Sequence, residues 1–71
     1  MKESFHLLDV VALLDDVPNQ RLIAGQVGTI VEILADGVYE VEFSDNDGRT
    51  YAILALKAEQ IMALHYTPVA A

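Results

Sequence analysis

Apolar and polar residues alternate most cleanly from Val38 to Ser44: Tyr39, Val41 and Phe43 fall on one side, Glu40, Glu42 and Ser44 on the other. A period of two marks a strand with one buried and one wet face, so this segment predicts a β-strand with its aromatic side turned inward. Val27 to Leu34 predicts the strand before it, with Val27, Thr29, Val31 and Ile33 on one face and Ile30, Glu32 and Leu34 on the other. Ala35-Asp36-Gly37 joins the two, since glycine accepts the positive φ that a tight hairpin needs. Upstream, the apolar run Leu7 to Leu14 is short and β-branched at its centre, which fits a first strand better than a helix. Pro18 and Asn19 then force a loop.

That loop, Asp15 to Ala24, is long for so small a domain, and loops of such length usually carry contacts. Asp45-Asn46-Asp47-Gly48 supplies another turn, and Thr50 to Leu56 a fourth strand with Tyr51, Ile53 and Ala55 opposed to Ala52, Leu54 and Leu56. Both of its faces are apolar, which implies either burial on two sides or an exposed adhesive face. Lys57 to Gln60 has the composition for one helical turn, and Ile61 to Leu64 closes a fifth strand. Strand, long loop, two hairpins, helical turn and final strand is the order of a small five-stranded SH3-like barrel, an all-β fold. The rival is an open sheet with a C-terminal helix over Ala55 to Leu64. Residues 1–71 make a single domain with its core between about 7 and 65, and a loosely held tail over 66–71.

Composition narrows the function. The 71 residues are 54% apolar, more than a lone barrel of this size hides, so some apolar surface is expected to meet another chain or a second copy. No cysteine is present, which removes disulfides and thiolate metal sites. Eleven Asp and Glu stand against four Lys and Arg, a net charge of -7. Lys2, Arg21, Arg49 and Lys57 are scattered, so phosphate neutralisation has no basic patch to work with, and neither nucleic acid nor an anionic membrane is the expected partner. A neutral or basic partner is. The bland alternative is an acidic surface that only keeps the domain soluble. Met1 to Phe5 leads into aspartate rather than an apolar signal-peptide core, and the cytoplasm is the expected compartment.

No constellation of side chains points to catalysis. Placing Gly48 at the sixth position of a calcium loop puts Phe43 first and Leu54 twelfth, where carboxylates are required, so a solvated hairpin turn is the better reading. Glu32, Glu40 and Glu42 lack a third polar partner for acid–base work and read as a wet or docking face. His6 and His65 lie near the two ends, but two imidazoles without a third ligand make a poor metal site. Gly25 and Gly28 are too closely spaced for a phosphate loop and read as positions of backbone freedom at a barrel turn. Tyr39 and Phe43, with Tyr51, could line a groove for a proline-rich peptide, yet the first two sit on the core face and read as packing. No cofactor is implied.

Four segments carry a resemblance: Asp9-Val10-Val11-Ala12-Leu13, Gly25-Gln26-Val27-Gly28-Thr29-Ile30-Val31-Glu32, Tyr39-Glu40-Val41-Glu42-Phe43 and Gly48-Arg49-Thr50-Tyr51-Ala52. Together they resemble a small bacterial family, common in cyanobacteria, known as a domain of unknown function. The resemblance implies an SH3-like fold in a short stand-alone protein and brings no catalytic residues. Gly25 to Phe43 is also similar to KOW-type modules of ribosomal and elongation proteins and to the ferredoxin-docking barrel subunit of the photosynthetic NDH complex. Charge weighs against both, since RNA and ferredoxin are themselves acidic.

The expectation is thus a non-enzymatic module that binds a basic protein, in its sharpest form an antitoxin or immunity protein. An apolar patch of Leu54, Leu56 and Ile61 would be rimmed by Asp15, Asp16, Glu32, Glu40 and Glu42. An accessory subunit of a larger enzyme or photosynthetic electron-transfer complex is the alternative, a nucleic-acid-binding barrel the third.

Overall fold

A computed structural model of the chain describes residues 4–65. Five antiparallel strands and two short 3-10 turns make up its regular structure: β1 (Val10–Leu13), a turn at Pro18–Gln20, β2 (Val27–Ala35), β3 (Val38–Ser44), β4 (Thr50–Lys57), a turn at Ala58–Gln60 and β5 (Ile61–Ala63). The all-β expectation holds. No helix forms over Ala55 to Leu64, because Ala55 to Lys57 belong to β4 and Ile61 to Ala63 pair with β1. The expected tail over 66–71 lies outside the described residues.

The sheet runs β4-β3-β2-β1-β5, and no ladder joins β4 to β5. One face nevertheless encloses one core. Val11 and Leu13 of β1, Ile30 of β2, Tyr39, Val41 and Phe43 of β3, Leu56 of β4 and Ile61 of β5 share a single buried cluster. Burying an aliphatic or aromatic side chain of this kind contributes about 1.5–3 kcal/mol. β3 shows why the alternation was readable, with Tyr39, Val41 and Phe43 buried and Glu40, Glu42 and Ser44 turned the other way.

The curl comes from β2. Its first residues pair with β1 and its later ones with β3, and the second ladder slips between Ile30 and Glu32 and again between Ile33 and Ala35. Each slip inserts one extra residue, which bends the strand and resets its side-to-side alternation. The expected faces of β2 are corrected accordingly. Ile30 and Ile33 both lie opposite inward residues of β3, Val41 and Tyr39, whereas Glu32 lies opposite Glu40.

β1 is shorter than the run from Leu7 to Leu14. Asp9 N donates to His6 O at 3.1 Å and His6 N to Asp9 Oδ2 at 2.8 Å, closing a turn. Leu8 takes the left-handed conformation there, at φ 70°, and is 74% exposed. Phe5 is buried just before it, edge-on to Tyr39 with ring centroids 5.4 Å apart, and its N–H donates to the Tyr39 hydroxyl.

The long loop after β1 proves to be part of the packing. Val17 and Leu22 bridge across the 3-10 turn, and Leu22 fills the core at 1% exposure. Asp16 Oδ1 accepts from Ala24 N at 2.8 Å, and Gln26 Oε1 accepts from Ile23 N. Gly25 takes a positive φ of 94°, as a turn glycine should. Gly28 does not, and its reason differs. A Cβ there would stand 2.7 Å from Val41 Cγ1 and 2.9 Å from the Glu42 carbonyl oxygen, so the glycine is needed for space. The Asp36-Gly37 and Asp45–Gly48 turns form as expected, with Asp45 Oδ1 accepting from both Asp47 N and Arg49 N at 2.9 Å.

Candidate protein-binding face

Residues opposite one another in an antiparallel ladder share a face, so the register assembles the outer surface of β2, β3 and β4 in rows. Thr29, Glu42 and Ile53 form one row, Glu32, Glu40 and Ala55 the next, and Ala35, Val38 and Lys57 a third. Glu32 and Glu40 are therefore direct cross-strand neighbours of like charge, an arrangement that costs up to about 1 kcal/mol. Lys57 is the one base in these rows, beside Val38 rather than opposite a glutamate. Among the described residues no lysine or arginine forms an ion pair with an acid; the one contact between a basic and an acidic side chain joins His6 Nδ1 and Asp9 Oδ2 at 3.6 Å. Glu42 accepts a hydrogen bond from Thr50 Oγ1 at 2.8 Å. Glu32 and Glu40 have no such donor among the described side chains.

Ile53 is 52% exposed beside this acidic surface, and Ala55 is exposed as well. The two apolar faces of β4 thus resolve unequally: Ala52, Leu54 and Leu56 turn to the core while Ile53 and Ala55 stay outside. Tyr51 sits in the irregularity between the Phe43–Ala52 and Ser44–Thr50 pairs. Its ring lies 6.4 Å from Phe43, and its hydroxyl accepts from Gln26 Nε2.

The structure brings together only some of the residues expected to form the working surface. Leu56 and Ile61 are buried at 2% exposure each, and Leu54 is half-buried against the core opposite Val41, so these three do not make an exposed patch. Their place is structural because the inner face of β4 and the start of β5 close the core. Asp15 and Asp16 are exposed, but they lie beyond the Val27 end of β2, and Asp16 is engaged with Ala24. Glu32 is five residues further along that strand, past its first slip in register. Glu32, Glu40 and Glu42 do share one face.

Sequence reasoning missed a second apolar surface. Val27 and Met62 flank Ala12 on the outer side of β1, 44% and 45% exposed, with Leu14 exposed beyond them. Its signal was the apolar character of both faces of β1. His6 and His65 are both exposed, and no three metal-ligating side chains gather among the described residues. No helix among them is long and apolar enough to cross a membrane.

Fold and surface together define a small antiparallel β domain with a curled sheet, a closed core and one uncompensated acidic face. The family model of DUF4926, a domain of unknown function, matches residues 7–63, and the chain belongs to that family. No curated protein and no solved structure matches it significantly.

Proposed function

We propose that this domain works by binding a basic protein and performs no catalysis of its own. The observation that carries the reading is the outer face of β2, β3 and β4, where Glu32, Glu40 and Glu42 stand without ion-pair partners beside exposed Ile53 and Ala55. Apolar area supplies affinity, and unpaired like charges add steering and selectivity for a partner of opposite sign. A net charge of -7 extends that steering over the whole molecule. An antitoxin or immunity role, masking a basic toxin in the cytoplasm, is the form of this function that small size, acidity and surplus apolar surface suit best. The strand order, with a 3-10 turn before the last strand, supports an SH3-like barrel as its frame.

Co-expression with the products of adjacent genes, followed by size-exclusion chromatography at low and high salt, tests the proposal. A complex with a basic protein that weakens as salt rises is expected. A domain that stays alone at low salt, or that associates only with itself, would count against it.

A further inference from the structure

β4 is the terminal strand of the sheet: β3 pairs along one side of Thr50–Lys57, and among the described residues no segment pairs with the other. In an antiparallel ladder alternate residues turn their N–H and C=O groups away from the partner, so about half of this strand offers unpaired backbone groups outward. Exposed edges are ordinarily blunted by prolines, by charges or by brevity. β4 is eight residues long, has no proline, and has no charge between Thr50 and Lys57. Its slip in register lies at the Ser44–Thr50 end and leaves Ala52 to Lys57 regularly paired.

From this edge we infer that β4 receives an extended segment of a basic partner as an added strand, with alternating basic and apolar side chains. The register sets that chemistry. An added strand would lie two strand spacings from β3, about 9–10 Å. On the outer face the residue opposite Ala55 looks across a single methyl group at Glu40, with Glu32 directly behind it in the same row. A lysine or arginine there reaches this like-charged pair, and Ala55 leaves the lane open. One row along, a basic residue lays its stem over exposed Ile53 and turns its charge toward Glu42. Residues on the other face of the added strand meet half-buried Leu54 at the rim of the core and are therefore apolar.

A second copy of this chain is the less fitting occupant. Paired antiparallel over its full length, about Leu54, Thr50–Lys57 would set Ile53 opposite Ala55 beside the glutamate rows and Lys57 opposite Tyr51. It would also bring together two chains that each carry a net charge of -7. Main-chain hydrogen bonds give such strand addition its affinity, and the alternate side chains give its selectivity.

The inference rests on the basic-partner reading, and the test separates the two. An end-blocked octapeptide alternating lysine and valine is titrated into the isotope-labelled full chain while backbone amide signals are followed. Displacement of the signals from Thr50 to Lys57, with slowed exchange of the outward amides, is expected. A glutamate–valine peptide, and a lysine–valine peptide broken by a central proline, should leave those signals in place. E40Q should weaken the lysine–valine peptide roughly two- to fivefold, the range of an exposed ion pair. Protection of the outward β4 amides in the protein alone overturns the inference, because the edge is then already covered. So does displacement confined to Asp15–Asp16 or Asp45–Asp47, or failure of the peptide to bind. In each of these cases a basic partner that still forms a complex keeps the broader reading alive, and loss of both removes it.

Discussion

Replacing Gly28 by alanine sets a methyl group 2.7 Å from Val41 Cγ1, 2.9 Å from the Glu42 carbonyl oxygen and 3.0 Å from Phe43 Cδ2. Val41 and Phe43 are both fully buried, and the carbonyl belongs to the strand backbone, so none of the three neighbours moves freely. Overpacking of this kind costs about 1–3 kcal/mol. A chain of this length has roughly 4–10 kcal/mol of total stability, so the change removes a large share of it. At 4–8 °C per kcal/mol, a central cost of ~2 kcal/mol lowers the melting temperature by about 8–16 °C. Thermal unfolding followed by circular dichroism measures this directly. Gly25→Ala serves as a contrast, since that position has φ 94° and open space around its missing Cβ. Val41→Ala removes the nearest clashing atom, so combined with Gly28→Ala it should show a favourable coupling of about 0.5–3 kcal/mol. With Gly25→Ala it should simply add. A Gly28→Ala protein that melts with the parent, or a cycle without coupling, refutes the spatial account of this glycine.

Further expectations follow from single contacts. Tyr39→Phe strips the acceptor from the buried Phe5 N–H and should lower stability by about 1 kcal/mol in urea titration. Leu8→Asn places a residue that tolerates the left-handed region at φ 70° and should raise stability by about 0.5–1 kcal/mol; an unchanged or lower denaturation midpoint contradicts strain at this turn. Glu32→Lys turns a like-charged cross-strand pair into an opposite one and should stabilise by ~0.2–1 kcal/mol. That gain should shrink as salt is added, and a salt-independent gain would trace to something other than charge.

The parts legible in sequence are those where one rule governed. β3 is half-buried and regularly paired, so its period of two survived into the structure. The Asp36-Gly37 and Asp45–Gly48 turns follow from the conformational freedom of glycine, which no tertiary contact overrode. β2 defeated the same reasoning because its two slips reset the alternation, and nothing in Val27 to Leu34 marks an extra residue. Leu7 and Leu8 read as strand because leucine carries no turn chemistry; the signal lay in Asp9, whose carboxylate caps His6. Leu22 was hidden within a polar loop, and its burial depends on the Val17–Leu22 bridge. The acidic half of the candidate face was visible as glutamates on alternating positions. Its apolar half was misplaced to Leu54, Leu56 and Ile61, since a strand apolar on both sides does not declare which side the core will take.

The pairing of β1 with β5 bears on the order in which the chain can acquire its structure. Val11, Ala12 and Leu13 find their partners in Ala63, Met62 and Ile61, so the first strand made waits for the last. The β2–β3 and β3–β4 hairpins join neighbours in sequence and are free to form while synthesis continues. During that interval one flank of β1 stays open, with Val11 and Leu13 lacking part of their cover. A chain without Ile61 to Ala63 therefore leaves an apolar strand edge on β1 without its partner, the kind of edge at which incompletely folded chains associate.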